Sequence, residues 1–589
     1  MKKVITENTV KATVVNITWE RIFMRLEIAA EGEKENLTFY AVDEKGSANG
    51  RFKQKILDNG NYELTLNVTN QGENRCIAAG NYWIVACKEN RTLGVCETGT
   101  DLVPRLEDCS RGFLYGGRKK VFSITFYVSE GEDSLPFRML VLPAAKTGFG
   151  APAEKLFQHK HTKIRTIINK NRRPFLRAVY HHYSNKYKNK SNTILFLSEQ
   201  SERLGGNQTA VIEQMKRRGL DQQFTILESA RPAAATHQPV KSWFTVIKKL
   251  AKSTIVVVDD HAPILDWMTL DDQTKVIQLW HAGAGFKSSG YSRWGHEGCP
   301  APHSAHRQYD FGIAGSKRIA PFFSEVWGIN DEQVLPTGMP RMDEYLNEEY
   351  RAAKTKELYE KFPICKGKKV ILFAPTYRGR NKKTAYYPYE LIDFDKLYEL
   401  CGEEYVVLFK MHPWVAQPVP TPHKYGDKFV DVNLYPNIND LFYITDLLIT
   451  DYSSNIFEYS LMGKPMLFFA FDKIQYSFSR GFHRAYEESA PGKVCYTFDE
   501  LLKAIEEKDF EEEKVKQYVE HHFDYIDTHA SDRVIDWLIL GNLPEETRAE
   551  LRQVDECNAK MHEMQFEIYD EDLVTDDEED EDKEEKQES

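Results

Sequence analysis

The feature that most constrains this chain is a double series of short apolar segments that alternate with amphipathic segments. The first series, residues 191–345, includes "NTILFLS" and "TIVVVDD", and the second, residues 346–545, includes "KKVILFAP" and "DLLITDYSS". Strands that alternate with helices form parallel sheets. The two series predict an α/β fold with two Rossmann-type domains that face each other across a cleft. In such sheets, ligands bind at the carboxyl ends of the strands.

Residues 1–150 have a different pattern. Runs such as "YELTLNVTNQG" and "VFSITFYVSEG" are rich in β-branched and aromatic residues, and Gly, Asn and Asp separate them. This spacing is typical of a β-sandwich. The runs contain no catalytic constellation, so we predict a β-rich accessory or docking domain.

A basic segment, residues 151–190, joins the two parts. Between Glu154 and Lys190 there are 11 Lys or Arg residues and one acid, and Ile164, Ile167 and Ile168 recur at helical spacing. A basic amphipathic helix of this kind binds anionic membrane surfaces, which is the preferred interpretation. One alternative is a linker helix whose apolar stripe packs on its own protein. The other, a nucleic-acid patch, has no recognised module to support it.

The chain ends in a strongly acidic stretch. Residues 546–589 are predicted to be a helical end followed by a disordered tail, and the last 20 residues hold 13 acids and 2 lysines. The overall net charge of −12 therefore comes almost wholly from this tail, which we interpret as a solubilising segment.

The sequence indicates a cytosolic protein. The start has no apolar signal region, and no apolar run approaches the roughly 18 residues that a transmembrane helix needs. The nine cysteines form no C-x-x-C pair, so buried free thiols are expected rather than disulfides or a metal site.

Candidate catalytic residues follow the predicted strands. The strand "VIQLW" ends at His281, beside a glycine-rich turn. Because a histidine titrates near neutral pH, His281 is the candidate general base, with a structural turn histidine as the alternative. Arg293, in the run "GYSRWG", adds a cation suited to an anionic substrate, although a solvated loop would have the same composition.

The second series places further polar residues at strand ends. "VILFAPTYRG" puts Thr376 and Arg378 after one strand, and "VVLFKMHPW" puts His412 after the next. The arginine guanidinium binds phosphate oxygens as a two-pronged donor, so Arg378 is a candidate phosphate ligand.

The run "LLITDYSS" puts Asp451, Ser453 and Ser454 where a buried strand gives way to a helix. A helix N-terminus offers free N–H groups and a positive dipole end, which predicts a phosphate seat at the two serines. Ordinary N-capping is the alternative. Asp451 is expected to orient a hydroxyl or a neighbouring cation.

Taken together, the strand ends suit a diphosphate-linked donor whose leaving phosphate is stabilised by protein cations. We expect no metal, because no Asp-x-Asp motif lies beside the phosphate loop.

These residues also carry a resemblance. "QLWHAGAGFK", "GMPRMD", "ILFAPTYRG", "KMHP" and "DLLITDYSSNIFEYSLMGKPMLFFAFD" resemble motifs of the CDP-glycerol glycerophosphotransferase family, the teichoic-acid primases and polymerases of Gram-positive bacteria, over roughly residues 190–510. The resemblance implies a GT-B fold, a CDP-alditol donor held by the C-terminal Rossmann domain, and peripheral attachment to the cytoplasmic face of the cell membrane. It implies transfer of an alditol phosphate to a hydroxyl of a lipid-linked acceptor, with release of CMP. No cofactor is expected, and a homo-oligomer is left open.

Motif by motif, the resemblance also implies roles. His281 is similar to the base that takes the acceptor hydroxyl's proton, and His412 and Arg378 are similar to ligands of the donor phosphates. The remaining members of the motif set are expected at the donor, as Thr376, Asp451, Ser453, Ser454 and Glu458, or in secondary or acceptor roles, as Lys287, Arg293 and Asp343.

One departure concerns the donor. The common glycerol-type motif resembles W-H-G-T-P-L-K, whereas this chain has "WHAGAGFK", and the following "GYSR" resembles the branch that includes ribitol-phosphate transferases. CDP-glycerol is the leading prediction and CDP-ribitol the second. A GT-B glycosyltransferase or sugar-nucleotide epimerase, and a non-catalytic membrane assembly factor, are the alternatives from other classes.

Overall fold

The computed structural model describes residues 2–50, 52–89, 91–128, 135–146, 163–233, 238–296, 298–379, 382–421 and 423–570. Within these ranges, the side chains of residues 144–146, 163–171, 423 and 570 are not described. The acidic tail beyond residue 570 and Ile164, Ile167 and Ile168 of the predicted membrane stripe therefore lie outside what is described.

The region before residue 147, the β domain, is built of short strands. Its elements are β1 Lys2–Val4, β2 Val10–Glu20, β3 Phe23–Gly32, β4 Thr38–Asp43, β5 Ala48–Asn49, β6 Lys53–Ile56, β7 Tyr62–Asn67, β8 Gly80–Lys88, β9 Arg91–Val95, β10 Glu97–Thr98, α1 Leu106–Cys109, β11 Arg111–Tyr115, β12 Lys120–Val128 and β13 Phe137–Lys146.

These strands form two sheets, in the orders β10-β2-β3-β7-β6 and β11-β12-β13-β8-β4-β5, with β9 beside β8. The pairs are antiparallel apart from β2–β10. Burial alternates along β7, because successive side chains point to opposite faces of a sheet. One hydrophobic core draws on both sheets, with Leu26 and Leu64 from the first and Ile84 and Ile124 from the second.

A long helix, α2 (Lys163–Lys186), connects the β domain to the rest. In its described half, Leu176 and Tyr180 are buried in the core of the next domain. The Arg177 Nε donates to the Trp267 carbonyl at 2.6 Å. This half of the helix therefore packs its apolar stripe on its own protein, as the alternative interpretation expected, whereas Phe175 is 57% exposed.

The first α/β domain contains β14 Thr193–Ser198, α3 Gly206–Arg217, β15 Thr225–Ala230, α4 Val240–Lys252, β16 Ile255–Val258, β17 Lys275–Gln278, β18 Phe311–Ile313, α5 Ala320–Trp327, β19 Val334–Leu335 and α6 Met342–Tyr345. Its strands form a parallel sheet in the order β15-β14-β16-β17-β18-β19. Every residue of β14 is buried, as expected for a parallel strand covered on both faces.

The second α/β domain repeats this architecture with α7 Glu348–Lys361, β20 Lys369–Phe373, α8 Phe394–Cys401, β21 Tyr405–Phe409, β22 Phe429–Asp431, α9 Ile438–Leu441, β23 Leu447–Thr450, α10 Ile456–Ser460, β24 Met466–Phe469, α11 Lys473–Ser479, α12 Tyr486–Ser489, β25 Lys493–Cys495, α13 Phe498–Glu506 and α14 Glu513–His522. Its parallel sheet has the order β22-β21-β20-β23-β24-β25, which is the dinucleotide-binding order 3-2-1-4-5-6. The predicted mixed α/β fold with parallel sheets is confirmed.

The C-terminal segment packs against the first α/β domain and pairs with the β domain. It comprises α15 Ala530–Arg533, a π-helix Val534–Ile539, α16 Glu545–Glu563 and β26 Ile568–Asp570. Arg218 of α3 donates to Asp532 and Asp536 at 3.0 and 2.6 Å, and β26 pairs with β1 at the other end of the chain. These contacts join the C-terminal segment to the first α/β domain and to the β domain.

All nine cysteines are free, and six of them are buried. The expectation of free thiols is confirmed.

Candidate active site

The candidate site lies where strand ends of the two parallel sheets meet. In the second sheet, β20 is central, with β21 on one side and β23 on the other, so the loops after β20 and β23 leave in opposite directions. A crevice opens at such a switch point, where doubly wound sheets bind ligands. The first sheet has its switch point between β14 and β16.

His281 follows β17 at the carboxyl-terminal edge of the first sheet, the side on which its parallel strands end. We call this side the first edge, and the corresponding side of the second sheet the second edge. Trp280 just before it has a φ of 49°, a left-handed conformation that bulky residues rarely adopt and that is found at functional sites. The Asn207 amide donates to the Trp280 carbonyl at 2.8 Å, and the Gln278 side chain accepts from the Trp280 N–H at 2.8 Å. This strained turn presents an imidazole that is 57% exposed.

One carboxylate oxygen and one backbone carbonyl oxygen from the residues after β16 lie beside this imidazole. His281 Nδ1 is 3.5 Å from Asp260 Oδ2 and 3.4 Å from the Asp259 carbonyl oxygen. These oxygens only accept hydrogen bonds, so Nδ1 carries the proton and Nε2 is left as the acceptor. This is the tautomer that a general base needs.

Asp259 is more deeply placed than Asp260. Its carboxyl group is buried, which raises its pKa, although a hydrogen bond from Ser198 acts in the opposite direction. Gly205 allows its approach, since a Cβ at that position would lie 2.3 Å from Asp259 Oδ2. Sequence analysis missed both aspartates as partners of the base; the available signal was their position at the end of "TIVVVDD".

At the edge of the second sheet, Asp451 organises the loop after β20. It is fully buried, and its carboxylate accepts from the Thr376 N–H at 2.8 Å and from the Thr376 hydroxyl at 3.2 Å. Its Oδ2 also accepts from Arg378 Nη1 at 2.9 Å. Asp451 thus contacts both a hydroxyl and a cation, the two groups that the sequence prediction named as alternatives.

Arg378 has different partners from those predicted. Its Nε and Nη2 donate to Asp472 at 2.6 and 2.9 Å, while Nη1 donates to Asp451. Burial alone would lower its pKa, but the charges of Asp451 and Asp472 raise it above the usual value, so the guanidinium stays charged. The guanidinium nitrogens of Arg378 are thus directed at two carboxylates of its own chain.

His412 follows β21 and is held in a neutral form. Its Nδ1 accepts from the Trp414 N–H at 3.1 Å, and its ring packs on Tyr377 at a centroid distance of 4.6 Å. Burial and the charges of Lys287 and Lys410 lower its pKa to about 4. Because Nδ1 accepts, Nε2 carries the hydrogen and can donate to an anion.

Lys287 brings a cation from the first domain to this edge. Burial lowers its pKa to about 8, despite the opposing charge of Asp451, and the charges of Arg480 and Arg378 lower it further. Its backbone pairs with Phe482 of the second domain. Arg480, an exposed residue that donates to the Tyr377 hydroxyl at 2.7 Å, was not predicted; it lies in "SRGF", the run after α11.

The two serines lie between β23 and α10. Ser453 is buried and accepts from the Asn455 N–H at 3.3 Å, and the Ser454 carbonyl accepts from Phe457 at 3.1 Å. The loop after His281 lies against this helix, since a Cβ on Gly283 would be 2.6 Å from the Phe457 ring. His281 and the predicted phosphate seat are thus on neighbouring segments.

Three predicted residues have structural partners. Glu458 is buried and its carboxylate accepts from Arg341 Nη2 at 2.5 Å, which joins the second domain to the first. Asp343 accepts from the Ala530 and Ser531 N–H groups, both at 2.8 Å, and thereby caps α15. Arg293 ends a short 3₁₀ helix next to Trp294, which packs on the β domain.

Among the residues that the structure describes, no group of three or more His, Cys, Asp or Glu side chains could hold a metal ion. In the same residues, no helix is both long and apolar enough to cross a membrane.

Comparison with known sequences identifies the family. The model of the CDP-Glycerol:Poly(glycerophosphate) glycerophosphotransferase family matches residues 179–540. The chain belongs to this family. This confirms the family predicted from the motifs, and the match spans both α/β domains and His281, His412 and Asp451.

Individual relatives extend the match. The chain is 33% identical over 563 residues to the teichoic acid ribitol-phosphate polymerase TarL of Staphylococcus aureus, which covers 89% of this chain and 98% of TarL. It is 38% identical over 353 residues to a teichoic acid poly(ribitol-phosphate) polymerase of Bacillus spizizenii, covering 59% of this chain and 56% of that relative. A solved variant of the wall teichoic acid polymerase TagF superposes with a TM-score of 0.50 at 22% identity, covering 66% of this chain and 96% of TagF. At that identity, the structural likeness shows the fold alone.

Proposed function

We propose that this glycerophosphotransferase-family chain transfers an alditol phosphate from a CDP-alditol to a hydroxyl group of a growing teichoic-acid-like polymer and releases CMP. The two α/β domains then act as a GT-B pair, with the second holding the donor. One observation carries the proposal. His281, with a carboxylate 3.5 Å away, is on the same loop as Lys287, whose charge acts on His412 of the second domain.

His281 acts as the base. The acceptor hydroxyl donates its proton to Nε2, and its oxygen attacks the phosphorus that carries the alditol. The Asp259 carbonyl accepts from Nδ1–H and fixes the tautomer, and the Asp260 carboxylate, 3.5 Å from Nδ1, stabilises the imidazolium that forms.

The second edge stabilises the leaving group. As the new P–O bond forms, the P–O bond to CMP breaks, and negative charge grows on the oxygen that leaves with CMP. The Lys287 ammonium and the His412 Nε2–H are available donors for that charge, and Arg480 is an exposed cation beside them. Fixed donors aimed at developing charge supply much of the rate enhancement in such sites. In this scheme Arg378 and Asp451 keep the loop in place instead of contacting phosphate.

CDP-ribitol is the donor that we favour over the CDP-glycerol of the first prediction. A relative that matches 89% of this chain is named for ribitol phosphate, whereas a glycerol-phosphate primase of Bacillus subtilis matches 49% of this chain at 30% identity. CDP-glycerol is the second candidate.

The test is release of CMP by the purified full chain, given CDP-ribitol, CDP-glycerol and UDP-N-acetylglucosamine in parallel with a primed lipid-linked acceptor. We expect CMP from CDP-ribitol at a rate at least tenfold above that from CDP-glycerol. The reverse preference would overturn the donor assignment. Release of UDP without CMP would overturn the proposed function in favour of a glycosyltransferase or epimerase.

A lipid-linked acceptor and attachment to the cytoplasmic membrane face belong to the same proposal. Phe175 of α2 is 57% exposed, Val240 of α4 is 70% exposed, and Phe175 lies 6.1 Å from Phe244, ring to ring, so an apolar edge accompanies the basic helix. A five-site neutralised variant at Lys163, Arg165, Lys170, Arg172 and Arg173 should lose sedimentation with anionic vesicles at low salt. A control neutralised at Lys396, Lys503, Lys508, Lys514 and Lys516 should retain it. Equal sedimentation of both variants would overturn this attachment.

A further inference from the structure

The structure contains a buried ionic junction at which the three folded regions meet. Arg21 of the β domain makes a two-pronged contact with Glu325 of α5, with Nε to Oε1 at 2.8 Å and Nη2 to Oε2 at 3.0 Å. His483 of the second α/β domain is 2.7 Å from Glu325 Oε2 through its Nε2. Each domain thus contributes one residue.

Burial, charge and backbone conformation hold the three junction residues in one arrangement. Glu325 is 2% exposed and His483 is 1% exposed. Burial alone would raise the pKa of the Glu325 carboxyl, but hydrogen bonds and charges from His483 and Arg21 keep it below its usual value, so it is a carboxylate. Arg21 sits between β2 and β3 with a φ of 53°, a left-handed conformation that is uncommon for arginine. A buried carboxylate that loses a partner is strongly destabilised, so the three residues hold one another in place.

His483 belongs to a short segment, residues 481–484, that we call the strap. The strap runs beside residues 281–288, which we call the histidine loop. The His483 N–H donates to the Phe286 carbonyl at 3.1 Å, and the Ser288 N–H donates to the Gly481 carbonyl at 3.2 Å.

Lys287 is paired with Phe482 in the middle of this contact. Next to His483, Arg484 Nη2 donates to the Ala284 carbonyl at 2.5 Å and lies 2.9 Å from His522 Nε2. The strap thus contacts the histidine loop at Ala284 and along Phe286, Lys287 and Ser288.

The far end of the same polypeptide stretch is anchored in the β domain as well. Tyr291 and Trp294 are buried in the core of the β domain, and Trp294 stacks on Phe113 at 5.0 Å and packs on Phe122 at 4.7 Å. His281 and Lys287 are therefore on a loop that has two supports, the strap and the segment that carries Trp294. The first is linked to the β domain through Glu325 and Arg21, and the second is buried in it.

We propose that Arg21, Glu325 and His483 are positioning residues through which the docked β domain holds Lys287 and His281 in register with the donor-binding edge. The β domain is then part of the catalytic apparatus, although none of these three residues touches the reacting atoms. The effect on turnover rests on the proposed function; the effect on the loop does not.

The experiment compares three variants of the full chain with wild type. Arg21→Met keeps the apolar stem and removes the charge, and His483→Gln retains an N–H donor near the position of Nε2. Arg91→Met, which removes an exposed ion pair with Glu7 within the β domain, is the matched control. Two readouts are made: hydrogen–deuterium exchange at the Ser288 and His483 amides, and CMP release with separate determination of kcat, KM and CDP affinity.

We expect Arg21→Met to speed exchange at both amides at least tenfold and to lower kcat about tenfold, with CDP affinity within threefold of wild type. His483→Gln should keep the two exchange rates and kcat close to those of wild type, because glutamine retains an N–H donor. Arg91→Met should match wild type in all readouts. Unchanged exchange in Arg21→Met would overturn the proposal whatever the activity. Faster exchange with unchanged kcat would overturn the positioning role and leave a structural contact only. Absence of CMP release by the wild type would count against the proposed function, while the exchange data would still decide the junction.

Discussion

The two sheet edges that form the candidate site differ in how they treat charge. At the edge of the first sheet, His281 is exposed and has two acidic residues beside it, Asp259 and Asp260. At the edge of the second sheet, the acidic residues Asp451 and Asp472 are both paired with Arg378, and Lys287, His412 and Arg480 lie at the same edge. In the proposed function, the first edge takes up a proton and the second receives a phosphate. The buried charged residues of the predicted motif at the second edge thus neutralise one another. In the proposed function, binding of the substrate is left to other residues.

The largest effect is expected at the first edge. His281→Ala should lower CMP release by about 10²–10⁴-fold, because general base catalysis contributes on that scale. CDP affinity should change by less than twofold, since the base does not hold the donor. Steady-state rates with isothermal titration of CDP check both statements, and His562→Ala on α16 is the control. A large loss of CDP affinity in His281→Ala would remove the distinction between the two edges.

The second prediction tests whether Arg378 neutralises Asp451 and Asp472 at the second edge. Arg378→Met leaves Asp451 and Asp472 without their shared cation and should lower the free energy of unfolding by about 3–5 kcal/mol. Chemical denaturation measures it. Arg480→Met, which removes an exposed guanidinium of the same edge, should cost less than about 1 kcal/mol. If the Arg378 variant were as stable as wild type but had lost CDP binding, the original interpretation as a phosphate ligand would stand instead.

Asp260→Asn should lower kcat by about 10–100-fold, because a nearby carboxylate stabilises the imidazolium that forms. The KM for the donor should stay within twofold, because the second edge is unchanged. Asp272→Asn, an exposed change in the turn after Asp271, is the control. An equal loss in both variants would contradict the dyad.

The smallest effect is a pH dependence at the second edge. Lys287 has a pKa lowered to about 8, so in the free enzyme it is charged below that pH and loses its charge above it. Affinity for CDP should therefore fall above pH 8, by up to about tenfold per pH unit when the lysine contact is fully required. Lys287→Arg should keep the affinity constant to higher pH, because an arginine stays protonated. The same fall in both proteins would assign it to another group.

Much of the site's location could be predicted from local pattern. Buried strands of four to six residues are continuous apolar runs, so the polar residues that follow them, such as His281, Thr376, His412 and Asp451, could be placed at sheet edges from the sequence. The parallel sheets followed from the alternation of strands and helices. The family followed from motif order alone, before any contact was known.

The contacts between those residues could not be predicted in the same way. Arg378 meets Asp472 across 94 positions of the chain, and Arg21 meets Glu325 across 304. No local pattern encodes such a pairing, because it depends on where helices and loops bring distant segments. The docking of the C-terminal segment is of the same kind: α15 is a short polar helix, and Asp532 in it accepts from Arg218 of the first α/β domain.

The sequence by itself determined the architecture of paired parallel sheets, the strand-end position of each reactive side chain and the family. The tertiary structure alone decided which charges are available to a substrate. Arginine, lysine and aspartate have the same composition signal whether they face a ligand or one another. A buried charge is stabilised only by a partner, so the fold must supply one, as Asp451 and Asp472 do for Arg378. In the proposed function, the cations that bind a phosphate are those that the folded chain did not neutralise itself.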